Sequence, residues 1–572
     1  MPACAALACA RSLQSLNQNP TPLEPDICSV WFRRGYFSAR LHILHKNTCN
    51  ERGTNMDQKA LKAVTSPAAA CGGRWETRLE LPIETELLIP DYLPAVFKIV
   101  KCLVEPVVMQ NAVTGQRWQG EGYLRCTVYY QSDEAGTRLY RTEQKYAFEK
   151  TAELPEGSYL QGAARLWGET EYCNCRAVSE HRIDLRGAYT LCVAVGVTEQ
   201  LELLTDLSGC GIQQRTVPLT GVACAVCEEK TFTAQSTFPL PGAGETILDI
   251  SGIFVPGSQT VRTGQLDCAG TLSLQVCYRA ANEEALTVRS KDLPVTQTVE
   301  LPDAAEGDDA TVWGNVLACT LTAPEEDGKE PALAVTWKLH AELWRPVSLR
   351  AVVDAYSTVC ETSVERRPCR LLQSLAAVES AAAVQIEDDL PDPEATVQGC
   401  FVTLEAPQLA AREEGGVQVT GRGTAHLFCA DARGELTCYD KTFTWALPEP
   451  LDGAIARSIP HLHAALTRVN SSKNGSRVRV ELSVAVTGRV LAMQSSEVAT
   501  AVELGEEFPD HADGPALHLY YAAPGESIFE IAKRYHARAG DLAAANGLET
   551  GPDAGPEDLT TGAVCLLIPA AL

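Results

Sequence analysis

Residues 121–130 read EGYLRCTVYY, and similar stretches return as AGTLSLQVCY at 269–278 and RGTAHLFC at 422–429. In each stretch a glycine precedes a run in which apolar and polar residues alternate. The three glycines, each at the second position of its stretch, are spaced by 148 and 153 residues. Alternation with a period of two is typical of a β-strand that buries one face. The sequence therefore predicts an internal repeat built from β-strands.

The sequence around the three stretches is also repeated. Each stretch runs into a polar, acidic turn, and the strand after that turn ends in a Leu-Pro pair, at 154–155, 301–302 and 447–448. Long alternating runs close each copy, at 188–197, 332–343 and 477–491. Strands that alternate around charged turns are typical of β-hairpins. We therefore expect a mainly β fold.

At 572 residues the chain is longer than one hydrophobic core usually supports. We predict three repeated β-sandwich-like domains, at residues 56–235, 236–385 and 386–505. Few segments have the period of a substantial helix. The best of them, an Ala-rich run at 371–383, is expected to connect the second and third domains.

Residues 1–55 differ from the rest of the chain. They contain six Lys or Arg against three Asp or Glu, and their apolar run at 5–10 is too short for a secretion signal. The stretch MDQKALKAV, which begins at Met56, resembles a bacterial protein start. We therefore expect residues 1–55 to be a non-native or disordered extension, and the protein to remain in the cytosol.

The chain carries 48 basic and 73 acidic side chains, which give a net charge of −25. A chain this acidic is repelled by phosphate backbones and by anionic lipid headgroups. The sequence has no run of about 18 apolar residues that could span a bilayer. We therefore expect no nucleic-acid partner and no direct membrane insertion.

The end of the chain, residues 515–572, carries a different pattern. An apolar strand at 517–521 is followed by a Pro-Gly turn and by a helix that Ser527 is expected to cap. A second short helix is expected to begin at Asp541, whose side chain would cap it, and to stop at an Asn-Gly pair. An apolar strand at 564–568 follows. The pattern predicts a small βααβ module.

This module resembles the LysM family. The residues that match the family's pattern are Gly525-Glu526-Ser527-Ile528, Ile531-Ala532-Lys533-Arg534-Tyr535, Leu542 with Asn546, and Ile568-Pro569. The resemblance implies a shallow groove between residues 524–528 and 546–549, which in many LysM domains binds the N-acetylglucosamine backbone of peptidoglycan or chitin. The other interpretation is that Gly525 and Asn546 serve only turn geometry, because both residue types tolerate a positive φ. For Asn546 we favour this structural role.

The repeats resemble a second family. Residues 88–94, LIPDYLP, together with the apolar strand after them and the repeated glycine-strand hairpin, are similar to the SPOCS domain of endospore-forming bacteria. The family's motif is Leu-Pro-Asp-Tyr-x-Pro-Asp-Ile, from which this chain departs at Ile89, Ala95 and Val96. SPOCS repeats that end in a LysM domain occur in SipL-like spore-coat morphogenetic proteins.

That resemblance implies a non-catalytic scaffold of spore-coat assembly, in the cytoplasm of the mother cell and at the forespore surface. It implies that the LysM domain docks on a spore-coat morphogenetic ATPase (SpoIVA-like); the alternative is a cell-wall protein that binds peptidoglycan glycan. The groove or partner-binding residues carried over to this chain are Pro524, Gly525, Glu526, Ser527, Ile528, Ile531, Lys533, Arg534, Tyr535, Asn546, Gly547 and Leu548.

Motifs of enzyme chemistry are missing from the sequence. It has no P-loop, no His-Glu-x-x-His and no dinucleotide-binding glycine pattern. Its carboxylate runs, such as 325–327 and 413–414, lie beside Pro or Gly in turn-like segments. Acid–base catalysis needs carboxyl groups whose environments separate their pKa values, and solvated turns do not provide this. We therefore expect no catalytic residue and no cofactor.

The 22 cysteines are expected to be reduced thiols that pack as small apolar residues. Two pairs, Cys173-x-Cys175 and Cys224-x-x-Cys227, have the spacing of zinc ligands and could meet as four thiolates. Neither pair has the Gly-containing turn of such sites, so we expect no metal there. His461-x-His463 is interpreted as strand alternation, since no third ligand is evident.

Overall fold

The computed structural model describes residues 40–43, 60–132, 138–239, 246–280, 286–322, 330–452, 458–509, 517–523, 525–548 and 564–569. Across these residues the chain forms 23 β-strands and two short α-helices, so the expectation of a mainly β fold is confirmed. No helix in this part of the chain is long and apolar enough to cross a membrane. Of the predicted extension 1–55, only residues 40–43 are described, and they pair antiparallel with residues 62–65.

Strands β1 to β21 fall into three units. Unit 1 contains β1 Arg40–Ile43, β2 Lys62–Leu88, β3 Lys98–Thr114, β4 Arg117–Gln131, β5 Leu139–Glu153, β6 Ser158–Tyr159, β7 Arg165–Ser179 and β8 Arg182–Ser208. Unit 2 contains β9 Ile212–Thr237, β10 Thr246–Arg262, β11 Gln265–Arg279, β12 Leu286–Glu300, β13 Asp309–Thr322 and β14 Ala332–Ser357. Unit 3 contains β15 Cys360–Asp389, β16 Thr396–Leu404, β17 Gln408–Ala411, β18 Val417–Ala430, β19 Leu436–Ala446, β20 Ser458–Asn474 and β21 Arg477–Glu507.

A pair of long strands frames each unit. β2 pairs antiparallel with β8, β9 with β14, and β15 with β21, over nearly their whole lengths. Short turns join β8 to β9 and β14 to β15. The boundaries predicted at 235/236 and 385/386 lie inside β9 and β15 and are corrected accordingly, because an alternating pattern does not show which unit a long strand belongs to.

The Ala-rich run at 371–383, expected to be a helical connector, is part of strand β15. It pairs with β21, with Ala376 opposite Val490 and Ala382 opposite Val484. Ala382 is also buried in the core of unit 3. Alanine favours helix locally, but pairing with a neighbouring strand and burial of alternate side chains outweigh that preference.

Two three-stranded sheets pack around the core of unit 1. One sheet contains β2, β8 and β7, and the other contains β3, β4 and β5. Leu81 and Ile183 from the first sheet meet Trp118 and Leu124 from the second in one buried cluster. Units 2 and 3 repeat these pairings, with β9, β14 and β13 beside β10 to β12, and with β15, β21 and β20 beside β16 to β19.

The three long hairpins also pack against one another. One buried cluster contains Ala68 of β2, Leu203 of β8, Leu219 of β9, Ala351 of β14 and Leu371 of β15. Each hairpin contacts both of the others. The centre of the molecule is therefore a core that all three units share, in addition to the core inside each unit.

The C-terminal module contains β22 Leu517–Ala522, α1 Ile528–Arg534, α2 Ala539–Ala545 and β23 Val564–Pro569. This confirms the predicted βααβ order. The two strands pair antiparallel, with Leu519 opposite Leu567. One face of this small sheet packs on the helices, since Ile531, Leu542 and Leu566 are buried together in one cluster.

Candidate functional site

Two loops of the C-terminal module correspond to the predicted groove, and each contains an exposed glycine. Gly525 and Gly547 have φ angles of +86° and +64°, in the left-handed region that favours glycine. The turn role predicted for Gly525 is therefore confirmed. Pro524 and Glu549, at the outer ends of the predicted groove, lie outside the described residues.

Asn546 joins the second helix to the closing strand. Its φ is −106°, so a positive φ is not the reason for an asparagine here. Its side-chain Nδ2 donates to the carbonyls of Leu542 and Leu567 at 2.7 and 2.8 Å, and its Oδ1 accepts from the Leu567 N–H at 2.7 Å. The amide thus pairs with β23 much as a neighbouring strand would. Leu548, two residues on, packs against the module core.

Glu526 organises the first loop. Its carboxylate accepts hydrogen bonds from the Tyr520 hydroxyl at 2.7 Å and from the Ala523 N–H at 3.0 Å. Arg534 lies 3.5 Å from the same carboxylate and donates to the Tyr520 hydroxyl at 2.6 Å. The hydrogen bond from Tyr520 lowers the pKa of Glu526. These contacts hold the loop against the end of α1.

Several predicted partner-binding residues support the module from inside. Ile531 is fully buried and Ile528 nearly so, so neither can contact a partner directly, and this part of the prediction is corrected. Tyr535 forms the C-cap of α1 and packs against the core. Ser527 takes the N-cap position as predicted, but its side chain makes no cap hydrogen bond. Asp541 lies in the first turn of α2 and is not its cap.

Helix α1 binds the module to the long hairpins. Lys533 Nζ donates to both carboxylate oxygens of Asp354 on β14, at 2.9 and 2.7 Å. Tyr356, on the same strand, donates its hydroxyl hydrogen to the Ala537 carbonyl at 2.8 Å. The ring of Phe529 packs edge-on against that of Tyr356. Lys533, which was predicted to bind a partner, is thus engaged by the protein's own Asp354.

The strands of the module leave apolar side chains exposed. We call the set of Leu519, Tyr521, Cys565 and Leu567 the outer face. Leu519 is 61% exposed, Tyr521 76% and Leu567 39%, and Cys565 is also exposed. Strand alternation places these side chains on the side of the sheet opposite to Leu566, which packs under the helices. The sequence predicted the strands but did not show which face the helices cover.

A polar cavity of about 310 Å³ lies where the three units meet. Arg165 of unit 1, Trp313 of unit 2 and His461 and His463 of unit 3 line it. His463 stacks on Trp313 with ring centres 3.9 Å apart. Burial lowers the pKa of His463 well below its usual value, and the Arg165 charge acts in the same direction. Both histidines lie on strand β20, as the alternation predicted.

The two cysteine pairs lie in different parts of the structure. Cys224 and Cys227 are buried beside Trp344 in a cluster of units 2 and 3, and burial raises the pKa of both thiols. Cys173 and Cys175 lie beside Cys102 of β3 instead. The four-thiolate arrangement considered from the sequence does not form, because β7 and β9 carry the two pairs into separate clusters. Hydrogen bonds with Cys102 and Cys175 lower the pKa of Cys173.

Comparison of the chain with protein-family models, with curated proteins and with solved structures found no match. Inference about function therefore rests on the residues and contacts described above.

Proposed function

We propose that the protein is a non-catalytic scaffold of spore-coat assembly, which acts in the cytoplasm of the mother cell at the forespore surface. In this proposal the C-terminal module docks on a coat morphogenetic ATPase of the SpoIVA type. The SPOCS-like repeats and the LysM-like motif order support this function. The observation that carries the docking step is the exposed outer face of the module.

The outer face has the chemistry of a protein-binding patch. Single apolar residues on a surface need no explanation, but Leu519 and Leu567 are directly opposite each other on paired strands, with Tyr521 next to them. Tyrosine is enriched among the residues that contribute most to binding at interfaces. Because the four side chains of the outer face are uncharged at neutral pH, they suit an apolar patch on the partner.

The rest of the protein fixes the direction in which the outer face points. The contacts of Lys533 with Asp354, and of Tyr356 with Ala537, attach the module to β14. β14 is in turn part of the core that the three units share. A partner on the outer face would therefore be held in one orientation relative to the three units, which is what a scaffold requires.

Binding of peptidoglycan glycan is a second candidate function. The observation that favours it is the open space at Gly525 and Gly547, where no described atom lies within 4 Å of the position that a Cβ would occupy. A sugar ring could approach the backbone of both loops without a clash. The resemblance to LysM places the glycan groove between these same loops.

Co-purification from cells that co-express the full chain and the coat ATPase tests the docking. We expect Leu519→Ser with Tyr521→Ser to lower the amount of bound ATPase at least about tenfold, because the two side chains supply most of the apolar surface of the outer face. Both are exposed, so the core of the module stays intact. Leu88→Ser with Tyr92→Ser is the matched control, since these residues are 68% and 84% exposed on unit 1.

The outcomes separate the candidates. Equal co-purification of the outer-face variant and the control would refute docking through the outer face. Binding that survives removal of residues 515–572 would refute docking through the module altogether. Sedimentation with purified peptidoglycan, without binding of the ATPase, would support the glycan function in its place.

A further inference from the structure

Three cysteines of unit 1 come together from two different sheets. Cys102 lies on β3, and Cys173 and Cys175 lie on β7. The three Sγ atoms are all within 4.8 Å of one another, and those of Cys102 and Cys173 are 3.3 Å apart. Because Cys173 and Cys175 are two residues apart on a strand, their side chains point to the same side of the sheet. The chain thus presents three sulfur atoms to one point.

The spacing of these sulfur atoms suits a thiophilic metal ion. Zinc binds thiolate sulfur at about 2.3 Å with tetrahedral geometry, which places ligand sulfurs about 3.8 Å apart. Side-chain rotations of a few tenths of an ångström would bring Cys102, Cys173 and Cys175 to that separation. All three residues are only partly buried, so an ion can reach them from solvent and a water molecule can take the fourth position.

Unit 2 shows that packing does not require thiols at two of these positions. Cys102 pairs with Val128, and Ile250 pairs with Val276, which is the same strand position 148 residues later. Cys175 pairs with Leu185, and Leu321 pairs with Leu333, again 148 residues later. The counterparts of Cys102 and Cys175 in unit 2 are therefore Ile250 and Leu321.

The third position keeps its thiol in both units. Cys173 pairs with Gly187, and Cys319 pairs with Val335, 148 residues later. Ile250, Cys319 and Leu321 pack against the core of unit 2 just as the three cysteines pack against that of unit 1. Unit 2 thus has one thiol where unit 1 has three, and only unit 1 can supply a set of metal ligands there.

We propose that Cys102, Cys173 and Cys175 bind one zinc ion through three thiolates, and that this ion links the two sheets of unit 1. Each thiol loses its proton on binding, so the site releases protons as it fills. The bond from β3 to β7 ties the sheet of β3, β4 and β5 to the sheet that contains the long hairpin.

A second group, His426, Cys438 and Asp440, also has its ligand atoms within 4.8 Å of one another. Its carboxylate is already used, because Asp440 binds Lys101 at 2.5 Å and His426 at 2.8 Å. A cation would have to displace Lys101. We therefore assign the zinc ion to the three cysteines.

The test is a zinc titration of the full chain, kept reduced and freed of metal with a chelator, against a chromophoric competitor. We expect one tight site per chain. Cys102→Ile with Cys175→Leu copies the residues of unit 2, so this variant should fold, and its zinc affinity should fall at least about 100-fold. Cys319→Ser is the matched control and should bind zinc as the unchanged chain does.

Two further measurements make the result specific. Cadmium in place of zinc should give sulfur-to-metal charge-transfer absorption in the unchanged chain and in Cys319→Ser, and not in the double variant. Zinc should raise the melting temperature of the unchanged chain and leave that of the double variant unaltered. Equal zinc affinity in the unchanged chain and the double variant would overturn the proposal, as would loss of the tight site in Cys319→Ser.

Discussion

Asp354 on β14 binds Lys533 of helix α1 through both of its carboxylate oxygens, across 179 residues of sequence. The Asp354 side chain is almost completely buried, and Arg366 on β15 binds the same carboxylate. One buried acid therefore connects two long strands and the C-terminal module. A buried carboxylate that keeps both cations is stable, and loss of either leaves its charge less well balanced.

Replacement of Lys533 should loosen the module. In Lys533→Met the buried Asp354 keeps only Arg366, and because Lys533 is itself partly exposed, we expect docking to weaken by about 1–2 kcal/mol. Hydrogen exchange in α1 should become about tenfold faster. Arg534→Met is the control, since Arg534 pairs with Glu526 inside the module. Equal exchange in the two variants would contradict this role for Lys533.

Tyr356 should contribute to the same docking through one hydrogen bond. Tyr356→Phe removes the donor to the buried Ala537 carbonyl and keeps the ring that packs on Phe529. The expected loss is about 1 kcal/mol, because the carbonyl is left without its partner. Limited proteolysis should release the module several times faster. An unchanged cleavage rate would show that the hydroxyl does not hold the module in place.

Asn546 should be essential for the closing strand. Asn546→Ala removes three hydrogen bonds to Leu542 and Leu567, and we expect the module to lose about 2–3 kcal/mol of stability. Hydrogen exchange at 564–568 should report this loss directly. Asn474→Ala, in an exposed turn, should change nothing. Intact protection of β23 in Asn546→Ala would disprove the structural role of Asn546.

Stability should decrease in mild acid because of His463. Burial lowers the pKa of His463 in the folded protein, whereas in the unfolded chain it stays near 6.5. Below that pH the unfolded chain binds a proton that the folded chain does not, so the free energy of unfolding decreases as pH falls. Between pH 7.5 and 5.5 this one residue should contribute a decrease of about 1.4 kcal/mol.

Urea unfolding at the two pH values measures this contribution as a difference between proteins. His463→Phe keeps a ring over Trp313 but cannot take up a proton. Its stability should therefore depend on pH less steeply than that of the unchanged chain. Identical pH dependence of the two proteins would mean that His463 does not stay neutral in the folded state.

The features that follow from neighbouring residues could be predicted from the sequence. Period-two alternation gave the strands, and the spacing of the repeated stretches gave three related units. The Pro-Gly and Asn-Gly pairs marked the loops of the module. The Ala-rich run at 371–383 was predicted wrongly because its local preference for helix is overridden by β21, which is about 100 residues away in sequence.

The features that depend on distant residues could not be predicted. Cys102 is 71 residues from Cys173, and the spacing of cysteines suggested Cys224 and Cys227 as its partners instead. The engagement of Lys533 by Asp354 likewise depends on how the module docks. Local pattern shows that a residue can bind something, whereas the partner is decided by the packing of long strands.

The mutual contact of the three long hairpins limits how many units this architecture can hold. In an open solenoid each repeat touches only its neighbours, so copies can be added at either end. Here the first hairpin also touches the third, which makes the set a closed ring. A fourth copy would have to break one of these contacts before it could join, so a gene duplication that lengthened the repeat region would be expected to produce a second ring and not a longer one.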